Sequence, residues 1–170
     1  MSAAMASKRD LIKLSGDEVS AFLQEQRTVI VATNGKDGWP HLMPLWFVVR
    51  TSGPDGAEEL WGWTFAKSQK VRNLERDPRA TLQIETGTEY QELRGVMFET
   101  EVVIHREVDD VLAVGMEVFQ RYAPATNDPA AELPAEVVAM VRAQAEKRVA
   151  FQFTERRRAS WDHRKLGGVY

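Results

Sequence analysis

From Thr64 to Leu82 the chain reads TFAKSQKVRNLERDPRATL, a short stretch that carries Lys67, Lys70, Arg72, Arg76 and Arg79 although the net charge of the whole chain is -3. The segment SQKVRNLER suits a helix by propensity, with Val71 and Leu74 as its buried stripe. Asp77-Pro78 ends it, because the residue before a proline is driven out of the helical region. The first turn of a helix leaves amide groups unpaired and carries a partial positive charge, so a phosphate bound there gains hydrogen bonds and dipole stabilisation. Ser68, Gln69 and Lys70 occupy that turn, Asn73 shares a face with Lys70, and Thr64 adds a hydroxyl from the end of the preceding strand. A solvated basic helix paired with Glu75 and Asp77 has the same spacing, and spacing alone leaves both readings open.

Other chemistry is sparse. His41, His105 and His163 are far apart and none has a metal-ligand partner at helical spacing, so no metal site is expected. Asp109 and Asp110 open a helix, where dipole complementarity explains them. No catalytic acid-base pair, nucleophile elbow, P-loop or dinucleotide fingerprint is present; Gly35, Gly38, Gly53, Gly56 and Gly62 are read as hairpin ends. Trp39, Trp46, Trp61 and Trp63 form the largest aromatic group, and strand alternation puts Trp61 and Trp63 on one face, as core.

The elements that must position these residues follow from periodicity. Ser15 and Glu18 have capping-box spacing ahead of Val19, Phe22 and Leu23, which predicts a helix over 16–26. Strands are expected at 28–34, 39–50, 60–65, 80–85, 90–107 and 148–157, with a bulge at Gly95 and helices over 108–123 and from Pro134 to about Lys147. Pro40 and Pro44 cannot both serve a central ladder, so their strand should be bulged or lie at an edge, with backbone groups free for something else. Hairpin-length connections favour an antiparallel sheet closed into a barrel, mostly β with helices packed on it, over βαβ winding. We divide the chain into an N-terminal extension, 1–15, and one domain, 16–170, a size that supports a single core.

With 44% hydrophobic and 28% charged residues, the composition is that of a globular protein. The mixed charge excludes a general nucleic-acid-binding face, and neither a signal-like run nor a membrane-spanning stretch occurs. A cytoplasmic location with no membrane partner is expected. The absence of cysteine removes disulfides and thiolate metal sites.

The order strand, WTFAKSQKVRNLERDPRATLQIE, long glycine-interrupted strand, late strand and terminal SWDHRKLGG resembles the pyridoxamine 5'-phosphate oxidase-like superfamily of split β-barrel flavoproteins. It is most similar to the actinobacterial branch that uses the deazaflavin coenzyme F-420, over residues 16 to 166. The resemblance implies a homodimeric oxidoreductase with the cofactor at the interface. It implies backbone contacts to the cofactor ring from Met43, Pro44, Leu45 and Trp46, and a phosphate held by Thr64, Ser68, Gln69 and Lys70 beside Asn73. Trp161 and Arg164 match the tryptophan and arginine that reach the cofactor across the interface. At 68–70 the oxidase proper has Ser-Arg-Lys where this chain has Ser-Gln-Lys, so one cation is missing. Its substrate-phosphate arginines also lack counterparts. The implied activity is hydride transfer from reduced F-420 to a small unsaturated organic substrate, with no catalytic side chain assigned. FMN on the same scaffold, a haem-binding protein with His41, His105 or His163 as axial ligand, and a non-catalytic cofactor carrier are the alternatives.

Overall fold

The computed structural model describes residues 7–52, 56–122 and 133–167. Six antiparallel strands close into a barrel: β1 (Thr28–Asn34), β2 (Pro40–Ser52), β3 (Ala57–Phe65), β4 (Arg79–Thr86), β5 (Arg94–His105) and β6 (Arg148–Asp162). Around the barrel they run β1-β2-β3-β6-β5-β4, with β4 returning to β1. The helices are α1 (Lys8–Leu11), α2 (Gly16–Glu25), α3 (Gln69–Arg76), α4 (Val108–Tyr122) and α5 (Ala135–Ala145). The split β-barrel expected from the sequence is therefore the observed architecture.

Alternation along each strand fills the barrel. Val29 and Val31, Leu45 and Phe47, Leu82 and Ile84, Val96 and Phe98, and Phe151 and Phe153 all point inward and are buried. Two helices stopper this core. At one end α2, fixed by the reciprocal Ser15–Glu18 capping box, inserts Val19, Phe22 and Leu23. At the other end α3 inserts Val71 and Leu74, each worth about 1.5–3 kcal/mol on burial. A second core lies outside the barrel, where Trp61 and Val48 meet Val111, Val114 and Val118 of α4, with Trp63 packed against it.

The proline-bearing strand is an edge over half its length. Pro40 to Trp46 pair with β1, whereas pairing of β2 with β3 begins only at Phe47. Three expectations need correction. The irregularity in β5 falls between Glu99 and Thr100, not at Gly95. Gly95 is small because the Trp161 indole and the Ile84 carbonyl would lie 2.5 and 2.7 Å from a Cβ there. Gly62 is no turn residue but mid-strand, where a Cβ would meet Leu45 Cδ2 at 2.8 Å. The last strand continues to Asp162 because Arg156 and Arg157 pair with Glu101 and Glu99 of β5, a charged ladder without apolar alternation. Residues ahead of the domain also join the fold, since Asp162 N donates to Ile12 O at 2.7 Å and Leu14 N to Ser160 Oγ at 3.0 Å. Among the described residues no helix is long and apolar enough to cross a membrane.

Candidate cofactor site

At the end of β3 the chain turns through Phe65–Ser68, with Ser68 N donating to Phe65 O at 3.0 Å, and enters α3. That turn folds Lys70 back onto the strand it has just left. Lys70 Nζ donates to Thr64 Oγ1 at 3.0 Å, and the residue is only 8% exposed. Asn73, fully buried, donates to Thr33 Oγ1 at 3.0 Å and accepts from Gln69 Nε2 at 2.9 Å. Thr64, Gln69, Lys70 and Asn73 therefore converge at one corner, and Thr33 of β1 joins them.

The five cations of this segment separate by environment. Arg79 forms a bidentate pair with Asp77, at 2.9 and 2.7 Å, and its hydrogen bonds hold that carboxyl well below the usual range. Arg76 donates to Asn34 O, and Lys67 and Arg72 are exposed. Lys70 alone is buried, and among the described residues no carboxylate pairs with it. Burial pushes its pKa below the ordinary lysine value. A buried ammonium held by one hydroxyl has two unused donors and is costly unless an anion meets it. Beside it the Ser68 Oγ is buried, makes no capping bond to α3 and has no hydrogen-bond partner. These two groups fit a phosphate and leave the solvated-helix reading to Arg72, Arg76 and Arg79.

On the half-open strand, Met43, Pro44 and Trp46 are exposed, while Leu45 turns inward over Gly62. Trp46 stacks on Tyr122, with ring centroids 4.5 Å apart and planes within 11°. Pro44, Leu45 and Trp46 form one wall of a cleft of about 540 Å³ whose other walls include Trp63, Phe119 and Met140. Arg148 also lines it. Sequence reasoning did not single out Phe119, Met140 and Arg148 as cleft residues, because periodicity already accounted for the elements that carry them. Thr64, Ser68, Gln69, Lys70 and Asn73 are not part of this cleft lining.

Trp161 and Arg164 lie elsewhere. β6 is 15 residues long, so its ends are roughly 45 Å apart along the strand. Trp161 sits at the end opposite Arg148, with its ring over Gly95. Arg164 grips the buried Asp162 through Nε and Nη2 at 2.9 and 2.6 Å and holds that carboxyl below its ordinary pKa. One chain does not bring Trp161 and Arg164 to Lys70.

The sequence profile of the pyridoxamine 5'-phosphate oxidase family matches residues 15–154. The chain belongs to this family. A conserved hypothetical protein from Mycobacterium tuberculosis, Rv2991, is 39% identical over 97% of this chain and 95% of that one, with a TM-score of 0.81. An F420 reductase shares the fold at 19% identity, over 82% of this chain and 94% of its own, with a TM-score of 0.59. So does HutZ, a haem storage protein from Vibrio cholerae, at 16% identity over 84% and 90% and a TM-score of 0.60. No curated protein matches the chain.

For a member of the oxidase family the histidines are instructive. His105 Nε2 lies 3.1 Å from Gln152 Oε1 and His163 Nδ1 lies 2.9 Å from Tyr90 O, so both rings are engaged. His41 keeps a buried Nδ1 without a partner. No group of three metal-ligating side chains occurs among the described residues.

Proposed function

We propose that this family member is an oxidoreductase that binds reduced coenzyme F-420, with the anionic tail at Lys70, Ser68 and Thr64 and the ring along Met43, Pro44, Leu45 and Trp46. One observation carries this reading: a buried lysine without a counter-ion stands next to a buried serine hydroxyl without a partner, at the start of a helix. Gln69 and Asn73 support the corner by bonding each other, which fixes the first turn while Lys70 faces the tail. When bound, F-420 supplies a hydride to a small unsaturated organic substrate. The protein's part is to orient the ring against the edge strand, to hold the tail and to exclude water. No side chain is assigned as proton donor.

Trp39, Leu42, Met43 and Trp46 are exposed on and beside the open half of β2, apolar surface that a second copy would cover. A homodimer built on this surface could bring Trp161 and Arg164 of the second copy to the cofactor, which one chain cannot do. A cytoplasmic location belongs to the same proposal. FMN has the same phosphate chemistry and is the second reading, and Gln69, in place of a cation, would weaken the grip for either cofactor. The haem reading rests on His41 and its unpartnered Nδ1.

Equilibrium titration of cofactor-free protein with F-420 and FMN separates the readings. Tighter binding of F-420, together with hydride transfer to an enone or a nitroaromatic acceptor, is expected. Tighter FMN binding would move the protein to the flavin reading, and a Soret band on haem addition that is lost in His41→Ala would move it to the haem reading. Failure of all three to bind would end the proposal.

A further inference from the structure

The cleft between the barrel and helices α4 and α5 is lined by one cation, Arg148, and among the described residues no carboxylate neutralises it. Arg148 opens β6 opposite Phe65, and its guanidinium carbon lies 4.0 Å from the centre of the Phe65 ring and 4.6 Å from that of Trp63. Nη2 makes one long hydrogen bond, 3.3 Å, to Gln144 Oε1. Nε is buried and has no partner. Among the described residues no carboxylate pairs with this arginine, and the loss of solvent depresses its pKa. The other walls are apolar or aromatic: Trp46, Val118, Phe119 and Met140. Gly115 is tight against Trp63, since a Cβ there would lie 2.5 Å from the indole, and this close approach holds the ring in place beneath the guanidinium.

We propose that this cleft is a binding site for a small planar carboxylate, whose apolar body lies among Trp46, Phe119 and Met140 and whose carboxylate meets Arg148. Contact with two rings restrains the guanidinium, and a guanidinium is the side chain best suited to a charge-assisted, two-point hydrogen bond to a carboxylate. A carboxylate would neutralise a charge that the free protein leaves without a counter-ion, a gain that an uncharged ligand of the same shape cannot make. The volume, about 540 Å³, is in the usual range for small-molecule sites of roughly 300–1,000 Å³. Pro44, Leu45 and Trp46 line the same cleft, so a bound carboxylate would lie next to the ring and be the natural substrate. That last step rests on the cofactor reading, whereas the binding does not.

Calorimetric titration of the cofactor-free protein with 2-naphthoate and with its uncharged analogue 2-naphthamide tests the site. The naphthoate is expected to bind about ten- to a hundredfold more tightly. Arg148→Gln should erase that difference by weakening the naphthoate alone. Met140→Trp, at a half-exposed position, should fill the cleft and weaken both ligands, with circular dichroism checking that each variant is folded. Equal affinities in the parent protein, a difference that survives Arg148→Gln, naphthoate binding untouched by Met140→Trp, or no naphthoate binding in the millimolar range would each overturn the proposal. Lys70→Met should leave naphthoate binding unchanged. A failed phosphate corner and a failed carboxylate cleft therefore give separate results.

Discussion

Lys70 and Arg121 are both cations taken largely out of water, and burial pushes the pKa of both down. Arg121, near the end of α4, spends its charge inside the fold: Nη2 donates to Leu23 O at 2.7 Å and to Gln26 O at 2.9 Å, and the guanidinium lies 4.8 Å from the centre of the Phe47 ring. Those carbonyls belong to the last turn of α2 and the residue after it, groups that a helix end leaves unpaired. Next to it, Tyr122 hydroxyl is shared between Arg27 O, Phe47 O and Phe47 N, so this region is satisfied from within. Lys70 has one hydroxyl. Arg121 spends its charge on backbone carbonyls of the fold, whereas Lys70 keeps donors that the proposed cofactor tail would engage.

Substitutions should separate the two in opposite directions. Arg121→Ala is expected to cost about 3 kcal/mol of folding stability, because α2's end loses its cap and backbone carbonyls are left dry. Chemical denaturation measures that loss, and the affinity of the folded fraction for F-420 should not change. Lys70→Met is the mirror image. The variant should lose about 1.5–3 kcal/mol of cofactor binding, roughly ten- to a hundredfold, while the cofactor-free protein becomes as stable as the parent or more so by about 1 kcal/mol. A loss of apo stability like that of Arg121→Ala would place Lys70 with the structural cations.

A pH series sharpens the same contrast. The pKa of Lys70 is lower in the folded state than the ordinary lysine value of 10.5. Between the folded and unfolded values the native chain has released its proton and the unfolded chain has not, so stability of the cofactor-free protein rises with pH across that interval below 10.5. Cofactor affinity falls over the same interval as the ammonium charge is lost. Both slopes should vanish in Lys70→Met. The smallest effect belongs to Ser68→Ala, which should weaken cofactor binding by about 0.5–1.5 kcal/mol. Apo stability should move by less than roughly 0.5 kcal/mol, since this hydroxyl makes no capping bond to α3.

Much of the fold was legible because its signals are local. The capping box at Ser15 and Glu18, alternation over Thr28–Asn34 and the stop at Asp77-Pro78 each fix an element from neighbours in sequence. The edge character of β2 was legible too, from Pro40 and Pro44. The path of β6 was not. It inserts between β3 and β5, a pairing that joins Leu60 to Phe153 and that no local pattern announces. Gly62 and Gly95 were misread because what demands a small residue there is a side chain of a paired strand, Leu45 of β2 and Trp161 of β6. At the candidate site, residue type and spacing picked out Thr64, Ser68, Gln69 and Lys70, but spacing alone favoured a solvated basic helix. Burial of Lys70 and of the Ser68 hydroxyl is what favours the anion reading. Arg148 looked like one more cation on an alternating strand until Trp63, Phe65 and Gln144 converged on it.

The most direct measurement compares a phosphorylated cofactor with its phosphate-free form: FMN with riboflavin, and F-420 with the deazaflavin lacking its tail. The parent protein should prefer the phosphorylated member of each pair by about ten- to a hundredfold, and Lys70→Met should bind both members alike. An undiminished preference in Lys70→Met, or equal affinities in the parent protein, would contradict the claim that this corner holds the anionic tail.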